Sequence, residues 1–225
     1  MSNAPVFPLR PVLSVAGLAL LLSACAAHTA PQLDWLPDAT GWTVRDVDES
    51  EPPTWVAYHR EAPEADVKEI RVVGPVDTTP DVTMAALRHR LLDEAYVPDG
   101  LELEILFESE DEVVTYGLAR MPWPFRDREV TERMVFSHDP ETGEFRVDVQ
   151  QVDSEDEVPR GVVRVPLVRN AFVVTPTVDG TSVLTADSVH DLGGSFPNGM
   201  VYGPVRNGMI DLLFEVRAIS LDLQP

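Results

Sequence analysis

The sequence predicts an α+β fold in which a long C-terminal helix covers one face of a curved antiparallel sheet. Three observations lead there. Leu101, Leu103, Ile105 and Phe107 alternate with Glu102, Glu104 and Glu108, the period-two pattern of a half-buried strand. Val201, Val205, Met209, Leu212, Val216 and Ile219 recur every three to four residues, the apolar stripe of a helix. Thr79-Pro80-Asp81 offers an N-cap, a proline suited to the first helical position and an acid for the first turn. Met84, Leu87 and Leu91 follow at helical spacing, which predicts a helix over Pro80–Ala95. Short strands, one helix, a run of strands and a last helix is the order of an α+β domain.

The elements follow in order. Thr54–Arg60 and Val67–Val73 read as strands around the turn Glu61–Asp66, and Pro98-Asp99-Gly100 ends the first helix. After Leu101–Glu108, strands are expected at Val113–Met121, Arg128–Phe136 and Glu144–Val152, with His138–Gly143 as a turn. Val162–Val168, Ala171–Thr175 and Ser182–Val189 complete the sheet, and the last helix starts near Pro197. Pro204 removes a helical donor and is expected to kink that helix. Gly199, Gly203 and Gly208 allow two readings: close packing of helix on sheet, or a hinge that lets the helix start lift.

Composition narrows function. The 225 residues hold 17 basic and 38 acidic side chains, a formal charge of −21. Such a surface repels phosphate backbones, so no nucleic-acid partner is expected. Arg10 is the only charged side chain among residues 1–24, and Val12–Leu22 is nearly all apolar. That run suits a signal peptide and is shorter than the roughly 20 residues needed to span a bilayer. Leu22-Ser23-Ala24-Cys25 resembles the lipobox of bacterial lipoproteins, which implies cleavage before Cys25 and acylation of its thiol. The expected organisation is a signal peptide over 1–24, a lipid-anchored tether over 25–34 and one domain over 35–225. Cys25 is the sole cysteine, so no intrachain disulfide forms. Without Arg10 the charge is −22, which disfavours a basic-patch contact with anionic lipid and leaves membrane attachment to acyl chains. Ala27, rather than Asp, stands second after the cysteine; by analogy with enteric bacteria this implies the periplasmic side of the outer membrane.

Catalytic and metal chemistry find little support. There is no G-x-S-x-G elbow. Ser137-His138-Asp139 are adjacent turn residues whose side chains do not converge. His28, His59, His89, His138 and His190 lack metal-ligand spacing. Asp187, His190 and Asp191 read as polar groups at a strand end. Glu108–Glu112 and Asp153–Glu157 lack the spacing of an EF-hand loop. No catalytic residue, metal or cofactor is expected.

One run remains distinctive. Met121-Pro122-Trp123-Pro124-Phe125-Arg126-Asp127-Arg128-Glu129 places two prolines around a tryptophan, a rigid extended corner before a strand opened by Arg128. If buried, Arg128 needs a partner: a carboxylate, or the polar group of a ligand. Trp123 to Glu129 resembles the W-P-F-x-D-R-[D/E] motif of START (StAR-related lipid-transfer) domains, with Glu129 where Asp is commoner. Asp191-Leu192-Gly193-Gly194-Ser195-Phe196-Pro197 resembles the family's D-x-G-G-x-[I/L]-P turn before its last helix. Between them, Val158-Pro159 and Gly161-Val162-Val163-Arg164 resemble the exposed segment before a late strand. The resemblance spans about Trp35 to Leu221.

It implies a helix-grip fold, a curved antiparallel sheet wrapped around the C-terminal helix, with a tunnel for one lipid or other apolar molecule. Arg128, Met134, Val201, Val205, Met209 and Leu212 are the expected ligand-binding residues. The expected role is to hold or transfer a hydrophobic ligand in the bacterial envelope as a monomer, without catalysis. Two alternatives stand beside it. One is a helix-grip enzyme of the cyclase or hydrolase type using Arg128, Asp187 and His190. The other is a structural or sensory lipoprotein with an occluded pocket.

Overall fold

A computed structural model describes residues 33–153, 157–194 and 196–224. The signal peptide expected over 1–24 and Cys25 lie outside the described residues, as does most of the tether expected over 25–34. Ten strands form one sheet: β1 (Thr43–Val47), β2 (Val56–Glu61), β3 (Lys68–Val76), β4 (Leu101–Glu108), β5 (Glu112–Ala119), β6 (Asp127–Asp139), β7 (Glu144–Gln151), β8 (Val162–Arg164), β9 (Leu167–Pro176) and β10 (Ser182–Asp191). Among the described residues two α-helices accompany them, α1 (Pro80–Leu92) and α2 (Tyr202–Asp222). Neighbours run β1-β2-β3-β10-β9-β7-β6-β5-β4. Hairpins of short reach build each half, and the β3–β10 pairing, Val73 opposite Thr185, joins the two.

Side chains alternate along the strands, apart from register shifts in β1 between Val44 and Asp46 and in β4 between Ile105 and Phe107, so one face collects the apolar set. The edge strand β4 is not half-buried throughout as expected: at the shift Ile105, Leu106 and Phe107 are all exposed. Val72 and Val76 of β3, Leu184 and Ala186 of β10, Phe172 and Val174 of β9, and Val147 and Val149 of β7 are all buried there. Leu87 of α1 and Met209, Leu212, Leu213, Val216 and Ile219 of α2 pack against them. At Gly74 the helix comes closest. A Cβ there would stand 2.5 Å from a methyl of Leu213 and 2.7 Å from the Thr54 carbonyl. The Arg217 guanidinium fastens the same spot, donating to the carbonyls of Pro75 at 2.8 Å and Thr54 at 2.5 Å. The opposite face of β2, β3 and β10 is covered by the N-terminal strap, whose Leu33, Trp35, Leu36 and Trp42 pack on Val56, Tyr58, Val73 and Val183.

The structure corrects several expectations. The strand expected over Val162–Val168 is two. Pro166 cannot donate to a ladder, so β8 stops at Arg164 and pairs in parallel with the start of β6, while β9 begins at Leu167 and takes in the strand expected at Ala171–Thr175. The first helix ends at Leu92, where the Asp93 carboxylate accepts from the Ala95 N–H and caps a separate 3-10 turn. The last helix is preceded by another 3-10 turn at Asn198–Met200. Pro204 is the third residue of α2. An N–H in that first turn has no intrahelical acceptor, so a proline costs no hydrogen bond and no kink follows. Nor do the helix glycines serve close packing: a Cβ at Gly199, Gly203 or Gly208 would meet nothing within 4 Å.

Candidate functional site

The two sequence motifs meet. Arg128, only 4 % exposed, opens β6 with its side chain across the sheet toward the segment after β10. Its Nε and Nη2 donate to the carbonyls of Leu192 and Gly193, each at 3.0 Å, and Nη1 donates to the carbonyl of Arg126. The Phe125 and Phe196 rings lie 4.7 Å apart beside it. Gly193 and Gly194 both have φ of +65°, and a Cβ on Gly193 would press on Pro166 at 2.7 Å. The Asp191 carboxylate completes the turn by accepting from the Gly193 N–H at 2.9 Å. These residues fix the segment that leads into α2.

Of the two partners considered for Arg128, a carboxylate or the polar group of a ligand, no carboxylate meets it among the described residues. Backbone carbonyls hold all three of its nitrogens. The neighbouring carboxylate, Glu129, projects from the other face of β6 and accepts from Arg164 at 2.8 Å and from the Tyr116 hydroxyl at 3.1 Å. The tryptophan corner is a turn rather than an extended run. Phe125 N–H donates to the Pro122 carbonyl at 3.0 Å, the Asp127 carboxylate accepts from Met121 N–H at 3.0 Å, and Trp123 is 93 % exposed at its tip.

The other expected binding residues lie on the grip itself. Val201 and Val205, at the start of α2, line a cavity of about 220 Å³ with Ile70, Val67, Tyr202 and His190. Met209, Leu212 and Met134 lie deeper, in the core between sheet and helix. Asp187 and His190 separate: Asp187 accepts two 2.6 Å hydrogen bonds from Arg71 on the outer face, while His190 lines the cavity. Among the described residues no group of His, Cys, Asp and Glu could hold a metal ion. Ser137, His138 and Asp139 are exposed, with the His138 ring stacked on Phe145 at 4.1 Å.

The interior also contains polar side chains that were not singled out from the sequence. Asn170 accepts at its Oδ1 from the Ser188 hydroxyl at 2.7 Å and from the His190 Nε2–H at 3.1 Å. With that nitrogen donating, Nδ1 of His190 is an acceptor. Burial pushes the imidazole down to about 4, so it is neutral at physiological pH. One rung of the sheet carries three more. Thr115 of β5 stands opposite Glu132 of β6, which stands opposite Gln151 of β7. Each is two residues along its strand from a core residue, Val113, Met134 or Val149, and so shares the inner face. Among the described residues, Thr115 Oγ1 and Gln151 Oε1 are buried with no hydrogen-bond partner. Burial alone pushes the Glu132 carboxyl up to about 7. A signal for Glu132 was present: it interrupts the inward set Val130, Met134 and Phe136 of one strand.

No family model matches the chain, and no curated protein matches it. Solved structures do. A STAR-related lipid transfer protein from Xanthomonas axonopodis superposes with a TM-score of 0.65 at 20% identity, covering 80% of this chain and 98% of that one. Human STARD10 gives 0.65 at 16% identity, over 83% and 75% of the two chains. Human StAR-related lipid transfer protein 5 gives 0.64 at 15% identity, over 82% and 88%. The fold is thus the START helix-grip: a curved, almost wholly antiparallel sheet closed by a C-terminal helix.

Proposed function

We propose that this chain binds a lipid or other hydrophobic ligand between its sheet and α2, and holds or transfers it in the bacterial envelope. The observation that carries this is the helix-grip with a cavity between β3 and α2, lined by Ile70, Val205 and the flanking Val67 and Val201 together with the charged Glu61, Asp66 and Lys68. Apolar burial supplies affinity at roughly 25 cal/mol per Å². The cavity of about 220 Å³ is smaller than the roughly 300–1,000 Å³ usual for small-molecule sites. Displacing the 3-10 turn at Gly199 and the first turn of α2 at Gly203, where an added Cβ would meet nothing, is the simplest way to widen it. Arg128 acts in this reading by fixing the segment that starts α2, not by gripping the ligand.

The domain works as a monomeric binder without catalysis, held by acylated Cys25 at the periplasmic side of the outer membrane. Mass spectrometry of an organic extract of the purified full-length protein is expected to find stoichiometric lipid. Absence of lipid, together with no binding of the neutral probe N-phenyl-1-naphthylamine, overturns the reading. Cys25→Ala is expected to move the protein from the membrane fraction to the soluble periplasm; retention in the membrane overturns the anchor.

A further inference from the structure

A second cavity lies on the side of the sheet that faces away from α2. Leu184 faces the core, so its neighbours Val183 and Thr185 face outward. Val183 stands opposite Pro75 of β3 and Thr175 of β9, and this row is the floor of the cavity. The strap residues Trp35, Leu36 and Pro37 and the β9–β10 hairpin around Val178 complete its lining. Its volume is about 650 Å³, within the roughly 300–1,000 Å³ of small-molecule sites and larger than the cavity under α2.

The charge of this cavity is of one sign. Asp34, Asp77 and Asp179 line it, and no Lys, Arg or His does. Asp34 and Asp77 take part in no hydrogen bond or ion pair among the described residues. The Arg217 guanidinium senses the Asp77 charge through space, but it donates to the carbonyls of Pro75 and Thr54. The Asp179 carboxylate accepts from the hydroxyls of Thr177 and Thr181, which hold it below the usual carboxylate range and so ionised. Acidic turns on a surface are ordinarily just solvated. These carboxylates differ because they surround an apolar cavity of ligand size with the Trp35 side chain in its lining. The apolar lining contributes by burial, the carboxylates by attracting positive charge, and an indole by attracting the same charge to its ring face. A neutral ligand gains only the first of these, and an anion meets three like charges. We propose that this outer cleft is a second binding site, separate from the grip, for an apolar organic cation.

Tetraphenylphosphonium and tetraphenylborate are nearly equal in size and shape and opposite in charge, so comparing them isolates the sign of the charge. Isothermal titration calorimetry of the full-length protein with each ion, in about 150 mM salt where charges beyond about 8 Å are screened, tests the proposal. The phosphonium is expected to bind more tightly than the borate. The double variant Asp34→Asn, Asp77→Asn is expected to weaken the phosphonium about fivefold, the scale of two partly screened charge pairs, and not to weaken the borate. Circular dichroism checks that the variant is folded. Amide exchange is expected to slow on phosphonium binding at residues 34–36 and 177–183. Slowing at residues 67–70 and 199–205 instead would put the cation in the grip and overturn the outer site while leaving the grip reading intact. Tighter or equal binding of the borate, an unchanged phosphonium affinity in the double variant, or no phosphonium binding at all also overturns the site. None of these results bears against a ligand in the grip, so the two readings fail separately.

Discussion

Asp187 and His190, three residues apart on β10, leave the sheet on opposite faces. Asp187 is locked to Arg71 by two 2.6 Å hydrogen bonds on the outside, and His190 turns inward to Asn170. An odd separation on a strand always divides faces. The acid and base that a helix-grip catalyst could have drawn from this strand therefore do not meet. Arg128, the third member of that set, is committed to carbonyls.

The inward placement of His190 has a pH consequence. Its imidazole stays neutral in the folded chain down to about 4, whereas the unfolded chain takes up the proton near 6.5. Between those values the unfolded state binds more protons, so stability is full above about 6.5 and falls as pH drops toward 4. The loss approaches about 3 kcal/mol. His190→Gln is expected to flatten this part of the curve in urea titrations between pH 4 and 7.5. An unchanged slope refutes the burial of a neutral imidazole.

Glu132 works in the other direction. Its folded value near 7 lies above the 4.5 of a free carboxyl. Here the folded state holds the extra proton, so stability is full below about 4.5 and declines as pH rises to about 7. Glu132→Gln is expected to stabilise the protein at pH 8, by up to about 3 kcal/mol, and to leave it nearly unaffected at pH 4.5. Between 4.5 and 6.5 the two residues oppose one another. The wild type should therefore be flatter across that range than either variant.

Arg128 tests the junction of the two motifs. Arg128→Met removes three charge-assisted hydrogen bonds to carbonyls and should cost about 2–4 kcal/mol. Amide exchange should accelerate in two places distant in sequence, residues 121–127 and the described residues after β10. Acceleration confined to the first stretch would show that the turn after β10 holds without it.

Gly74→Ala tests the closest approach of helix to sheet. The added methyl meets the Thr54 backbone carbonyl, Leu213 and Arg217 inside 3.0 Å. A loss of about 1–3 kcal/mol is expected from such overpacking. The same change at Gly208, with nothing nearby, should be neutral or slightly stabilising because alanine favours helix. Thermal melts of the two variants make the comparison.

Much of this protein was legible in its sequence. Local rules set the strand alternation, the N-terminal proline of α1 and the apolar stripe of α2, because each depends on spacing along one element. The motifs Trp123–Glu129 and Asp191–Pro197 pointed to the helix-grip that the fold displays. Other features depend on which strands become neighbours. Nothing local says that Arg128 will reach the carbonyls of Leu192 and Gly193, or that Pro166 will divide a strand and send its first half parallel to β6. Thr115, Glu132 and Gln151 are unremarkable singly. They become a polar rung only when register sets them side by side facing inward, where lost hydration turns ordinary polar side chains into groups that need a partner. Local periodicity is a property of one segment, so the sequence determined the elements. Register and burial are joint properties of several segments, so only the tertiary structure decided which groups share the interior.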